Sequence, residues 1–169
     1  MPGALKSPGS FGGTITPGCY RPGKHFEIKI MPAKDSGGHS QPGPTGGISL
    51  IDDDEVMHFL FRVLVKKYKP WLNVQTYSNA KKVLHLLEEN SFHTAAILLD
   101  INMPEMNGWQ FLQELERLGH RIPVYILSSS DSFIDRSRAK EFGNVERYFV
   151  KPLTIAHINI IQSRQQLHE

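Results

Sequence analysis

From residue 48 onward, short apolar runs alternate with segments whose apolar residues recur at helical spacing. The runs are "ISLID" (48–52), "LNVQTY" (72–77), "AAILLD" (95–100), "PVYILS" (123–128) and "RYFV" (147–150). They are brief and mostly β-branched or continuously apolar, which predicts strands. Between them, "DEVMHFLFRVLVKKY" (54–68) repeats Val56, Phe59, Leu60, Val63 and Leu64 with the period of a helix. "AKKVLHLLEEN" (80–90) groups Val83, Leu84 and Leu87 on one side. "GWQFLQELERLG" (108–119), "DSFIDRSRAKEFG" (131–143) and "TIAHINIIQSRQQL" (154–167) complete the helical set.

Strand then helix, repeated with connections of a few residues, implies an α/β fold: a doubly wound parallel sheet with helices on both faces. Right-handed crossovers leave two realistic topologies, the flavodoxin-like order 2-1-3-4-5 and a half-Rossmann sheet. No G-x-G-x-x-G follows the first strand, so the dinucleotide-binding version has no support.

Residues 1–47 differ in kind. They hold 11 of the 14 glycines and 7 of the 11 prolines. Such a segment buries too little apolar area to offset its ordering entropy, and it is expected to be a disordered tail. "HFEIKIM" (25–31) alternates apolar and polar residues, so a short strand is possible there. The tail carries five Lys/Arg against two acidic residues, leaving 14 basic and 15 acidic residues for positions 48–169. A near-neutral domain has no electrostatic footprint for nucleic acid, so no nucleic-acid partner is expected. No apolar run approaches the ~18 residues of a membrane span, and a lone cysteine, Cys19, fits a reducing compartment. The cytoplasm is the expected location.

The informative residues end the strands. In an open parallel sheet, ligands bind at the carboxyl ends of the strands beside the switch in strand order. Strand 1 ends on Asp52-Asp53, strand 3 on Asp100, strand 4 on Ser128 and strand 5 on Lys151. In the order 2-1-3-4-5 the three carboxylates converge on one crevice, with Ser128 and Lys151 entering from the far side. Clustered carboxylates repel unless a cation intervenes, and a hard divalent ion such as Mg²⁺ suits a few carboxylates plus waters. A metal, an ammonium and a hydroxyl around one Asp make a constellation for phosphoryl transfer, with the Asp oxygen as nucleophile. Singly, each residue has an ordinary reading: "DDD" as a helix cap, Asp100 as an Asx turn, Lys151 as a surface lysine. Their coincidence at successive strand ends is what argues for a site. The eight histidines show no metal-ligand spacing, Trp109 and Phe111-Leu112 are expected to be packing, and Lys66, Lys67 and Lys69 a solvated helix end.

These motifs, "LIDDDE" (50–55), "LLDINMPEMNGWQFL" (98–112), "PVYILSSS" (123–130) and "YFVKPLT" (148–154), resemble the receiver domain of two-component response regulators, in particular its stand-alone chemotaxis-type members. The resemblance covers 48–167 and implies the following roles. Asp100 accepts a phosphoryl group from a histidine kinase or phosphotransfer protein. Asp53 ligates Mg²⁺ directly, Asp52 contributes through water, and the Asn102 backbone carbonyl is a further ligand. Ser128 hydrogen-bonds a phosphoryl oxygen and Lys151 pairs with Asp100. Tyr148 is the aromatic switch whose rotamer follows Ser128, and the Lys151-Pro152 bond is cis. The implied protein is a phosphoacceptor, not an enzyme in its own right beyond self-catalysed transfer and slow autodephosphorylation. With no output domain after residue 169, it would signal through a downstream protein.

Three departures from the family pattern stand out. Asn107 replaces a commoner Asp before Gly, one extra residue separates Gly143 from Tyr148, and no effector follows. A haloacid-dehalogenase-like phosphatase also uses a strand-end Asp, Mg²⁺, Ser/Thr and Lys. It needs an acidic general acid two residues after the nucleophile, where this chain has Asn102.

Overall fold

A computed structural model of the chain describes residues 46–165. The tail expected over 1–47, all but its last two residues, and the possible strand at 25–31 lie outside the described residues. The described elements are β1 (Ile48–Ile51), α1 (Glu55–Tyr68), β2 (Val74–Tyr77), α2 (Ala80–Glu88) and β3 (Ala96–Leu99), then α3 (Gly108–Arg117), β4 (Val124–Ser128), α4 (Phe133–Ala139), β5 (Val145–Val150) and α5 (Ile155–Gln165). The strands form one parallel sheet in the order β2-β1-β3-β4-β5. This is the flavodoxin-like arrangement expected from the sequence.

Side chains alternate across the sheet, and both faces are apolar. Ile48, Leu50, Leu98, Tyr125 and Leu127 pack on one face with Phe61 of α1 and Ile158 and Ile161 of α5. Ile51, Ile97, Leu99 and Ile126 pack on the other with residues of α2 and α3. Burial on both faces is why the strands read as continuous apolar runs.

The helix expected from the spacing of Val56, Phe59, Leu60, Val63 and Leu64 forms, but those positions do not mark its buried side. Met57, His58, Phe61 and Val65 are buried, while Val56 and Phe59 are 61% and 62% exposed, and Leu60 and Val63 are also exposed. The helix is apolar on two sides, so periodicity alone offers two stripes. Docking decides between them: Met57, Phe61 and Val65 pack against residues of β1, β3 and α5, while Asp54 caps the helix by accepting the Val56 N–H. Of the residues at that spacing, only Leu64 packs against that core.

Two boundaries also shift. The fourth helix, expected over 131–143, is confined to α4, because Ser132 caps Ile134 N and the residues before it are held in a turn. β5 begins at Val145 rather than 147, and the register slips there: Val124 pairs with Val145 but Tyr125 with Arg147. The extra residue before Tyr148 is thus absorbed as a bulge at Glu146 instead of lengthening the loop. Trp109 is buried and stacks on Phe142 at 6.0 Å, the packing role expected of it.

Candidate functional site

Register places the acidic residues. Ile51 of β1 lies level with Leu99 of β3, so Asp52 and Asp100 emerge side by side, and the Asp100 N–H donates to the Ile51 carbonyl at 2.9 Å. Asp52 and Asp100 are buried and Asp53 is exposed, with one carboxylate oxygen of each lying within 4.8 Å of the others. Lys151 leaves β5 beside Ser128, whose carbonyl accepts its N–H at 2.8 Å, and the Lys151-Pro152 bond is cis. The Lys151 ammonium donates to Asp52 Oδ2 at 2.9 Å and Asp100 Oδ2 at 3.1 Å. Burial raises the Asp52 carboxyl above its ordinary value of 3.8, and the Lys151 and Asp54 hydrogen bonds oppose this incompletely. Burial alone would lower Lys151, but the hydrogen bond to Asp52 and the two negative charges carry it above its ordinary 10.5. The cluster therefore holds three carboxylates against one ammonium.

Every oxygen of Asp52 is engaged. Oδ1 accepts from Asp54 N at 2.9 Å, Oδ2 accepts from Lys151, and the backbone carbonyl lies 2.6 Å from Nε2 of the buried His58. Sequence reasoning set His58 aside with the other histidines. Its one legible signal was its position six residues after Asp52, on a helix that starts at the site.

The segment after Asp100 shows why that carboxylate is followed by a Pro and an Asn-Gly pair. Asn102 N–H donates to Asp100 Oδ1 at 3.3 Å, and the chain turns through Glu105 at φ 61°. Asn107 caps α3 and exchanges hydrogen bonds with Gln110 in a reciprocal capping box. Asn thus serves where Asp is commoner. Gly108 N–H donates to the Ile101 carbonyl, and a Cβ at this position would lie 2.6 Å from the Asp100 carbonyl oxygen. Only glycine lets α3 start this close to the site.

Ser128 is buried at the end of β4, and its hydroxyl accepts from Ser130 N at 3.1 Å. Tyr148, on β5, donates its hydroxyl to the Ser130 carbonyl at 2.8 Å, and its ring lies beneath the Arg136 guanidinium at 5.1 Å. Ser130 Oγ in turn donates to Asp135 Oδ2 at 2.6 Å. Ser128 and Tyr148 are therefore linked through Ser130, a residue the sequence did not single out. Asp52, Asp53, Asp100 and Lys151 come together directly, and Asn102 joins them through its N–H.

Comparison with known proteins agrees with this geometry. Residues 48–161 match the model of the response regulator receiver domain. Transcriptional regulatory protein HprR of Escherichia coli K12 is 34% identical over 96 residues, 57% of this chain and 41% of that protein. Transcriptional regulatory protein TctD of Salmonella typhimurium SL1344 is 28% identical over 124 residues, 70% and 53% of the respective chains. The chain thus spans about half the length of the curated relatives it matches. Their names concern transcription, so the expectation that nucleic acid is excluded has no support from them. A two-component response regulator from Cytophaga hutchinsonii superposes with a TM-score of 0.64 at 27% identity, over 73% of this chain and 97% of that one. No described helix is long and apolar enough to cross a membrane. Strand order, strand-end residues and matched relatives agree: this chain belongs to the response regulator receiver domain family of two-component signalling.

Proposed function

We propose that Asp100 is the phosphoacceptor of this receiver, and that Asp52, Asp53 and the Asn102 carbonyl form with it a Mg²⁺ site. The observation that carries the reading is the convergence of three carboxylate oxygens within 4.8 Å of one another, with a single ammonium shared by two of the carboxylates. Their charges exceed what Lys151 neutralises, which suits a hard divalent cation. When bound, Mg²⁺ would neutralise charge shared between these carboxylates and an incoming phosphoryl group.

The chain's own groups account for the rest. An Asp100 Oδ attacks the phosphorus of a phosphohistidine as the P–N bond breaks. The electron pair of that bond stays on the imidazole nitrogen, and Asp100 becomes an acyl phosphate. Lys151 holds negative charge beside the new phosphoryl oxygens, and the Ser128 hydroxyl donates to one of them once it turns from Ser130. The same site loses the phosphoryl group slowly to water, without other enzymatic activity. The phosphodonor is a histidine kinase or phosphotransfer protein. The exposed side of α1, with Val56, Phe59, Leu60 and Val63, starts two residues after Asp53 and is an apolar patch suited to docking it. The surface of α4, β5 and α5 then contacts a downstream protein. A cytoplasmic location fits the single cysteine of the sequence.

Incubation with Mg²⁺ and a small phosphodonor such as acetyl phosphate tests the assignment. The wild type should take up one phosphoryl group as a base-labile acyl phosphate, and Asp100→Asn none. Labelling of Asp100→Asn at the wild-type rate would refute it.

A further inference from the structure

His58 is the one described histidine that is buried, and its imidazole reaches back to the acidic cluster. A carbonyl oxygen carries only lone pairs, so the 2.6 Å approach of Nε2 to the Asp52 oxygen requires the hydrogen to sit on Nε2. Nδ1 faces Oε2 of the exposed Glu55 side chain at 3.5 Å.

That carbonyl belongs to the peptide joining Asp52 to Asp53. The β1 ladder ends at Ile51, and Asp52 N–H is the last donor it supplies, to Tyr77 O at 3.1 Å. Among the described residues, His58 is the donor that fixes the other side of the next peptide. The orientation of this peptide aims Asp53, the one carboxylate of the three that Lys151 does not touch. Asp52 and Asp100 are held by β-sheet neighbours and by the ammonium. Asp53 is exposed at the start of a turn and depends on its backbone for its direction. A residue on the buried side of α1 thus braces the exposed corner of the cluster.

We infer that His58 is a positioning residue for the Mg²⁺ site: its Nε2–H locks the Asp52–Asp53 peptide and so pre-aims the Asp53 carboxylate. The inference rests on the metal-site reading above. Loss of an outer hydrogen-bond partner commonly costs a metal site between about tenfold and a hundredfold in affinity. The low end, about tenfold, applies here because the bond reaches one ligand through the backbone.

The test is an NMR titration of the full chain with Mg²⁺, following the amide resonances of Asp53 and Asp100, for wild type, His58→Leu and His58→Gln. Leu fills the space without a donor, whereas Gln places an amide N–H near the former Nε2. The expected result is Mg²⁺ binding about tenfold weaker in His58→Leu and within about threefold of wild type in His58→Gln. Equal Kd values in all three proteins would overturn the positioning role and leave the metal site standing. A wild type with no saturable shifts would remove the metal site itself. A role confined to packing would lower the melting temperature of His58→Leu without moving its Kd, and that outcome also overturns the inference. Should His58→Leu not fold, the wild type alone decides: its long-range ¹H–¹⁵N spectrum should show hydrogen on Nε2, and a neutral ring protonated only on Nδ1 refutes the bond.

Discussion

Lys151 and Asp52 meet at 2.9 Å although 99 residues separate them, and the same ammonium reaches Asp100 at 3.1 Å. The partner of the buried Asp100 is therefore a lysine shared with a second buried carboxylate. Removing it leaves three clustered carboxylates without a cation. Lys151→Met is expected to destabilise the Mg²⁺-free protein by about 2 kcal/mol, less than for a fully buried pair because Lys151 is partly exposed. Added Mg²⁺ should recover more stability in this variant than in the wild type. Urea denaturation with and without Mg²⁺ reads both effects, and an equal Mg²⁺ increment in the two proteins would contradict the account.

Gly108 bears on the same cluster from the backbone side. In Gly108→Ala the new Cβ would meet the Asp100 carbonyl and the Ile101 Cα, neither of which moves freely. A loss of about 1–3 kcal/mol is expected, the usual cost of overpacking. Phosphoryl uptake should fall as well, since relief of the clash displaces Asp100. Wild-type stability in Gly108→Ala would mean that α3 stands further from the Asp100 carbonyl than a 2.6 Å Cβ approach implies.

The exposed side of α1 separates docking from chemistry. Phe59→Glu places a charge in the apolar patch without touching the carboxylates or the core. Transfer from a histidine kinase that phosphorylates the wild type is expected to fall at least tenfold, about 1.4 kcal/mol of lost recognition. Uptake from acetyl phosphate should be unchanged. A parallel loss with both donors would show that the substitution damages the site.

His157 supplies a pH signature away from the acidic cluster. Burial against Phe149, whose ring stacks on it at 4.4 Å, holds the imidazole below its ordinary value of 6.5. Between the depressed folded value and 6.5 the folded protein binds fewer protons than the unfolded chain. Stability therefore rises with pH through this window and is lost as pH falls through it. Protonation also removes the Nδ1 lone pair that accepts from Thr154 N–H at 3.3 Å, at the start of α5. His157→Gln keeps an acceptor at this third helical position without the titration. Its stability should change less with pH than the wild type between about pH 5 and 7, measured by urea denaturation. Equal slopes would exclude His157 as the source.

The link from Ser128 through Ser130 to Tyr148 is the expected route to the output face. Beryllofluoride, a phosphoryl mimic, should shift amide resonances over 131–165 in the wild type. In Tyr148→Ala those shifts should vanish while those near Asp100 remain, because the ring that senses the loop is gone. Shifts confined to the Asp100 crevice in both proteins would place the output face elsewhere.

Sequence alone determined the elements, their succession along the chain and the strand ends that carry the proposed site. The strands are buried on both faces, so their runs are unbroken, and parallel connection forces their carboxyl ends to one edge. Asp52, Asp53, Asp100, Ser128 and Lys151 were legible for that reason: each ends a strand. Tertiary structure alone decided what depends on rotation and distance. α1 carries apolar residues on both sides, and only its docking on β1, β3 and α5 selected Met57, Phe61 and Val65 for burial over Val56, Phe59 and Val63. The extra residue before Tyr148 could have lengthened a loop, and strand pairing made it a bulge at Glu146. The roles of His58 and Ser130 rest on hydrogen bonds to carbonyl groups, which every residue possesses and no residue pattern marks. Backbone partners are specified by three-dimensional proximity, and that exists only once the sheet has assembled.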